Sequence, residues 1–163
     1  MIAVARAVEQ LTPLKTRIKW PNDLMINDRK VAGLLNEMSA ETDKVNFVIL
    51  GIGVNLNMTL LQFPDELRHP ATSLFVETGV KVDRTQFAKI MLQELDSLYE
   101  VFLQEGYAPA RDEWLERSRL SGVMVSVSDS GTVRTGRVSG IDAYGALLLD
   151  TGAQILSGDV TIL

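Results

Sequence analysis

The chain has 163 residues, 46% of them apolar and 23% charged, which is ordinary for a globular protein and excludes a disordered or collagenous one. No apolar run reaches the roughly 20 residues that a membrane helix needs. With no cysteine, disulfides, thiolate metal sites and cysteine nucleophiles are excluded, and a reducing, cytoplasmic setting is expected. A net charge of -5 argues against a dedicated nucleic-acid binder.

Val4, Ala7, Val8 and Leu11 recur at helical spacing, so the chain opens in a helix that Pro13 stops. The opening segment is not a signal peptide, because Arg6 and Glu9 interrupt it. Residues 16–20 read as extended and 24–26 as a short strand. Asn27-Asp28-Arg29 suits a hairpin turn into a returning strand over 30–39. Val45 to Leu50 is short and β-branched, and reads as a strand buried on both faces. It runs into Gly51-Ile52-Gly53-Val54-Asn55, where the glycines permit a close approach of backbone to another group. The expectation is an antiparallel sheet of at least three strands, preceded by a helix.

Asp83 and Gln86 supply a helix start, Phe87, Met91, Leu95, Leu98 and Phe102 one apolar stripe, and Gly106 its end. A second helix over 108–119 carries Trp114 and Leu115, and both helices should cover one face of the sheet. From Ser121 the pattern changes to short strands. Val123, Val125 and Val127 alternate with polar or exposed positions. Turns are expected at Asp129-Ser130-Gly131, Asp142 to Gly145, Thr151-Gly152 and Ser157-Gly158. This predicts a division into 1–120 and a small β-barrel over 121–163. The barrel is near the size at which a lone core is marginal, so it should dock on the larger part.

Three clusters carry the candidate chemistry: Lys19-Trp20-Pro21-Asn22-Asp23, Arg29-Lys30-Val31-Ala32-Gly33-Leu34-Leu35, and Gly51-Ile52-Gly53-Val54-Asn55. Pairing through the turn at 27–29 puts them on neighbouring strands. Two lysines beside bared backbone suit a phosphate or an activated acyl group. Lys15, Arg17, Lys19, Arg29 and Lys30 also fit a plain solvated face, Pro21-Asn22-Asp23 a simple turn, and Gly51-Ile52-Gly53 a bulge. A lone Gly-x-Gly is no dinucleotide fingerprint. His69, the single histidine, reads as an incidental loop residue.

In order and in spacing, the three clusters resemble successive motifs of the biotin protein ligases. The resemblance continues through Ala71-Thr72-Ser73-Leu74, and through Gly136 to Asp142 with Gly145 to Leu149, which resemble the C-terminal barrel of the bacterial enzymes. It implies an α+β fold: a mixed or antiparallel, class II synthetase-like sheet covered by helices, here incomplete, then an SH3-like barrel. It also implies activation of biotin by ATP to biotinyl-5′-AMP, with Mg2+ accompanying ATP and no tightly bound cofactor. Transfer to a lysine of a biotin carboxyl carrier domain follows.

By resemblance, Lys30 contacts the biotin carboxylate and the α-phosphate, Lys19 adds a second cation, and Asp23 orients or deprotonates the acceptor lysine. Gly33, Leu35, Gly51 and Ile52 line the biotin pocket. Asn55 contacts the adenine side, and Trp20 and Asn22 belong to the same binding set. No metal ligands are expected in the chain, no membrane partner and no nucleic-acid module; a homodimer is compatible with the family. The family's basic glycine-rich loop and early strands have no counterpart in this sequence. The resemblance therefore implies part of a ligase, inactive alone, with an exposed sheet edge. The competing expectation is a non-catalytic remnant serving as a protein-interaction module. Lipoate attachment, chemically akin, is disfavoured by the Trp20-Pro21-Asn22-Asp23 turn and the barrel.

Overall fold

A computed structural model describes every residue except 42, 43, 68 and 130. Helix α1 (Ile2–Leu11) buries Ile2, Val4, Ala5, Ala7 and Val8, the face its spacing predicts. Strands β1 (Arg17–Lys19), β2 (Asp23–Ile26), β3 (Arg29–Glu41) and β4 (Lys44–Val54) follow as an antiparallel sheet in sequential order. The β2–β3 connection has two residues. Asn27 and Asp28 both sit at positive φ, 48° and 57°, the geometry that matches the twist of a tight hairpin. Arg29 already belongs to β3, opposite Ile26, so the turn is one residue shorter than expected.

Ile18, Leu24, Ile26 and Val31 pack with α1, Leu74 and Phe87 into one core. Leu74 opens the short helix α2 (Leu74–Thr78), capped by the Ser73 hydroxyl, which accepts from the Val76 N–H. Helix α3 (Arg84–Glu105) begins at Asp83, whose carboxylate accepts from the Gln86 N–H, and ends at Gly106 with φ 76°, both as expected. Its stripe is buried only in part. Phe87 is buried and Met91 and Leu98 pack at the core edge, while Phe102 is exposed. The helix packs chiefly on α1, which itself lies against the sheet, so α1 and not α3 is the layer nearest the strands.

The expectation that residues 45–50 form a strand buried on both faces is not met. Strand β4 is there, but it is the edge of the sheet, and Phe47 and Val48, which point to opposite faces, are 55% and 58% exposed. The sequence has the apolar composition of a central strand; among the described residues, no element covers it.

Helix α4 (Ala108–Ser118) leads to β5 (Met124–Asp129), β6 (Thr132–Ile141), β7 (Leu147–Leu149), β8 (Gln154–Ile155) and β9 (Asp159–Ile162). They form a five-stranded antiparallel sheet, ordered β8-β7-β6-β5-β9, around Val125, Val127, Val138, Leu147 and Ile155. Val125 and Val127 point inward as their alternation predicts, and Val123 packs at the edge of this core. Ser130, in the expected turn after Asp129, lies outside the described residues. Trp114 touches both cores, and Trp20 is buried in the second, so the two sheets share side chains.

A charged network ties the helices together. Arg6 bonds Glu94 and Glu113, and Arg117 bonds Glu113 and Glu9, all half-buried. Hydrogen bonds from Arg6 outweigh burial and hold the Glu113 carboxyl below its ordinary value. At Glu9 burial pushes the carboxyl up, but bonds from Thr16 and Arg117 together bring it down. A depressed carboxylate stabilises the fold above its unfolded pKa, and that stabilisation is lost as pH falls through the folded value. Urea unfolding should therefore show stability declining as pH drops below the ordinary glutamate value of 4.5. In Glu113→Gln the decline should be shallower.

Candidate functional site

Asp23 opens β2, directly opposite Gly33 in the β2–β3 register, and Gly53 lies opposite Gly33 on the other side. The Lys30 ammonium crosses this strip and meets the Asp23 carboxylate at 2.5 Å. A Cβ on residue 33 would lie 3.0 Å from Lys30 Cε and Nζ, and 3.4 Å from Asp23 Oδ1. Glycine at 33 is therefore what lets the ion pair rest on the backbone. At Gly51 a Cβ would lie 3.2 Å from the Leu35 carbonyl oxygen, so the ribbon is also tight there.

The Lys30 backbone is held from both sides. Met25 pairs with it in β2, and across the other edge its N–H donates to the Pro70 carbonyl (2.8 Å) while its carbonyl accepts from the Thr72 N–H (2.9 Å). Asn55 ties the same loop down, its side-chain amide donating to the Thr72 carbonyl. A hollow of about 700 Å³ opens beside these groups. Lys30, Gly33, Gly53 and Asn55 line one wall, and Met58, Phe63 and His69 the other. Its volume lies in the range of small-molecule sites.

On the far side of the Asp23–Lys30 pair lies a second cleft, walled by Lys19, Asn22 and His69 and, from the barrel, by Asp129, Gly158 and Asp159. Lys19 donates to Asp159 Oδ1 at 2.7 Å, and His69 Nε2 lies 3.1 Å from Asp159 Oδ2.

Four of the five residues of the basic cluster are thus paired. Lys19 meets Asp159, Lys30 meets Asp23, Arg29 meets Glu77 and Arg17 meets Asp28. The two lysines are not bare cations; an incoming anion must share or displace a carboxylate. Among the candidates, Lys30, Asp23, Gly33 and Asn55 come together. Asn22 is nearby, its amide donating to the Leu34 carbonyl. Leu35, Gly51 and Ile52 lie farther along the β3–β4 ribbon, outside the hollow, with Leu35 66% exposed. Trp20 follows a different route. Its Trp20–Pro21 peptide is cis, its ring is 4% exposed in the barrel core, and its indole N–H donates to the Gly145 carbonyl at 3.4 Å. Burial there makes it first a joint between the sheets, with only its edge reaching the second cleft.

Reading the sequence alone missed His69, Met58 and Phe63, and Asp159 from the barrel. The length of the connection from Val54 to Leu74 was the available signal, because long loops in compact domains are commonly functional. Among the described residues, no group of three or more His, Asp or Glu side chains is arranged to hold a metal ion, and no helix is long and apolar enough to cross a membrane.

The fold is thus an α+β unit with a small β-sheet unit alongside, and a lysine–carboxylate pair on its glycine-bared strands lies beside a hollow of small-molecule size. Residues 1–55 match the model of the biotin/lipoate A/B protein ligase family, and residues 120–162 that of the biotin protein ligase C-terminal domain. The chain is 36% identical over 164 residues to the bifunctional ligase/repressor BirA of Bacillus subtilis, covering 99% of this chain and 50% of that protein. It is 35% identical over 147 residues to the biotin–[acetyl-CoA-carboxylase] ligase of Paracoccus denitrificans, covering 85% of this chain and 59% of that one. The apo structure of biotin protein ligase from Aquifex aeolicus superposes with a TM-score of 0.82 at 27% identity, over 99% of this chain and 71% of that chain. The same enzyme in complex with biotin and ATP gives 0.78 at 26% identity, over 99% and 68%. The chain belongs to the biotin protein ligase family. It spans about half the length of the curated relatives it matches.

The role of Gly33 yields a prediction. A methyl group there meets only the mobile end of Lys30 and the Asp23 carboxylate. Gly33→Ala should therefore change unfolding free energy by no more than about 1 kcal/mol, since alanine also reduces the freedom of the unfolded chain. Side-chain NMR or a crystal structure of the variant should show the Lys30–Asp23 contact opened.

Proposed function

We propose that the chain forms the Lys30–Asp23 wall of a biotin protein ligase that activates biotin with ATP and passes it to a carrier lysine. The observation that supports this most is the Lys30–Asp23 pair lying over Gly33 at the mouth of the hollow. In the first step the biotin carboxylate attacks the α-phosphate of ATP, giving biotinyl-5′-AMP and pyrophosphate. Negative charge builds on that phosphate, and a cation beside it stabilises it once the phosphate shares or displaces the carboxylate partner. Lys30 is such a cation.

In the second step an acceptor lysine attacks the activated carbonyl and AMP leaves. Only the neutral amine is nucleophilic, so a carboxylate must take or orient its proton. Asp23 faces both the hollow's ion pair and the second cleft, through which an acceptor side chain can arrive. Lys19, held by Asp159, adds positive charge to the cleft instead of entering the hollow. Asn55 acts on the nucleotide side, first by holding the Thr72 carbonyl. Gly33, Leu35, Gly51 and Ile52 belong to the biotin pocket. The residues 1–120 and 121–163 serve as the catalytic part and the barrel.

The bare β4 edge favours a second reading, a family remnant used for protein interaction, because apolar faces of this kind mark binding surfaces. Mixing the chain with ATP, magnesium, biotin and a carrier domain, with and without the N-terminal half of a family member, separates the two. The ligase reading expects the carrier lysine to be biotinylated in the reconstituted mixture, with Lys30→Ala lowering the rate by about 100-fold or more, the scale of removing one preorganised charge donor. No labelling after reconstitution, or a normal rate with Lys30→Ala, overturns it.

A further inference from the structure

The loop between β4 and α2 bears directly on Lys30, and its two ends are held differently. Downstream, the Thr72 hydroxyl bonds Glu77, the Thr72 carbonyl accepts from Asn55, and Ser73 caps α2. These anchors lie within the larger sheet and its helices. Upstream, His69 immediately precedes Pro70, whose carbonyl receives the Lys30 N–H. The His69 ring reaches the barrel, with Nε2 3.1 Å from Asp159 Oδ2. His69 also borders both the hollow and the second cleft, as the divider between them.

We propose that His69 is a positioning residue for Lys30: held by Asp159 of the barrel, it fixes the start of the 70–72 segment that clamps the Lys30 backbone. The mechanical sequence is short. Asp159 sits on β9, whose strand pairs with β5, so its carboxylate is as rigid as the barrel. It lies 3.1 Å from the imidazole of His69, and two residues later the chain makes a parallel bridge with Lys30 through Ala71. A barrel that docks correctly thereby sets the lysine on which the site depends. Release of His69 removes the barrel's contact with the start of the 70–72 segment, and local opening there becomes easier without global unfolding. Its bearing on catalysis rests on the ligase reading, but the structural coupling does not.

Amide hydrogen exchange on this chain tests it without any ligand. In His69→Ala the Lys30 and Thr72 amides should exchange about tenfold faster, while the β5–β6 amides keep their wild-type rates, as local opening requires. Asp159→Ala, which also releases Lys19, should accelerate the same amides at least as much, and adding His69→Ala to it should bring no further acceleration. His69→Gln, which keeps an N–H donor near the Nε2 position, should restore most of the protection. Wild-type exchange at Lys30 and Thr72 in His69→Ala overturns the proposal. So does a uniform acceleration that includes β5–β6, or a failure of glutamine to rescue. Carrier biotinylation, measured separately, reports on the ligase reading alone.

Discussion

Lys30 and Asp23 form an ion pair that lies across a strip of backbone made bare by Gly33, and the rest of the site is arranged around it. The pair is possible because β2 and β3 are joined by a two-residue turn and a bulge between Leu24 and Met25 then shifts the register by one residue, which puts residues 23 and 33 face to face. It stays in place because the Lys30 backbone is bonded on both edges, to β2 and to the 70–72 segment. A half-exposed pair of this kind adds little to stability. Its significance is in placement: it sets a cation and a carboxylate together beside a hollow large enough for a small molecule.

The barrel is part of the same construction. A five-stranded unit of this size has a marginal core of its own, and here it takes Trp20 from the end of β1 and shares Trp114 of α4. Asp159 then reaches back to Lys19 and His69. The wall opposite Asp23 in the second cleft is therefore made by residues more than 100 positions away in sequence. An acceptor entering that cleft meets groups from both sheets.

Much of this was legible in the sequence where local chemistry decides structure. The apolar spacing of Val4 to Leu11, the Asp83 cap, the Gly106 stop and the Val125–Val127 alternation all reappear as expected. That Lys30, Asp23 and Gly33 lie on neighbouring strands was legible from the turn at Asn27-Asp28, but the bulge between Leu24 and Met25 that sets Asp23 opposite Gly33 was not. What stayed hidden depends on distant contacts. Trp20 reads as a site aromatic until the barrel closes over it, and His69 reads as incidental until Asp159 comes within reach. Strand β4 was misread for a related reason. Its composition is that of a central strand, and burial depends on neighbours that composition cannot specify.

The division of labour between Lys30 and Asp23 is the central claim, and one comparison tests it directly. Binding of a non-hydrolysable biotinyl-adenylate analogue and transfer from authentic biotinyl-5′-AMP to a carrier lysine are measured in the reconstituted ligase carrying Asp23→Asn. If Lys30 holds the phosphate and Asp23 serves the incoming amine, the analogue binds at least as tightly as before, because the lysine loses an internal competitor. Transfer in the same variant falls by about 100-fold or more, within the range for a lost general base. Transfer at the wild-type rate, or a loss of analogue binding as large as the loss of transfer, would contradict the account.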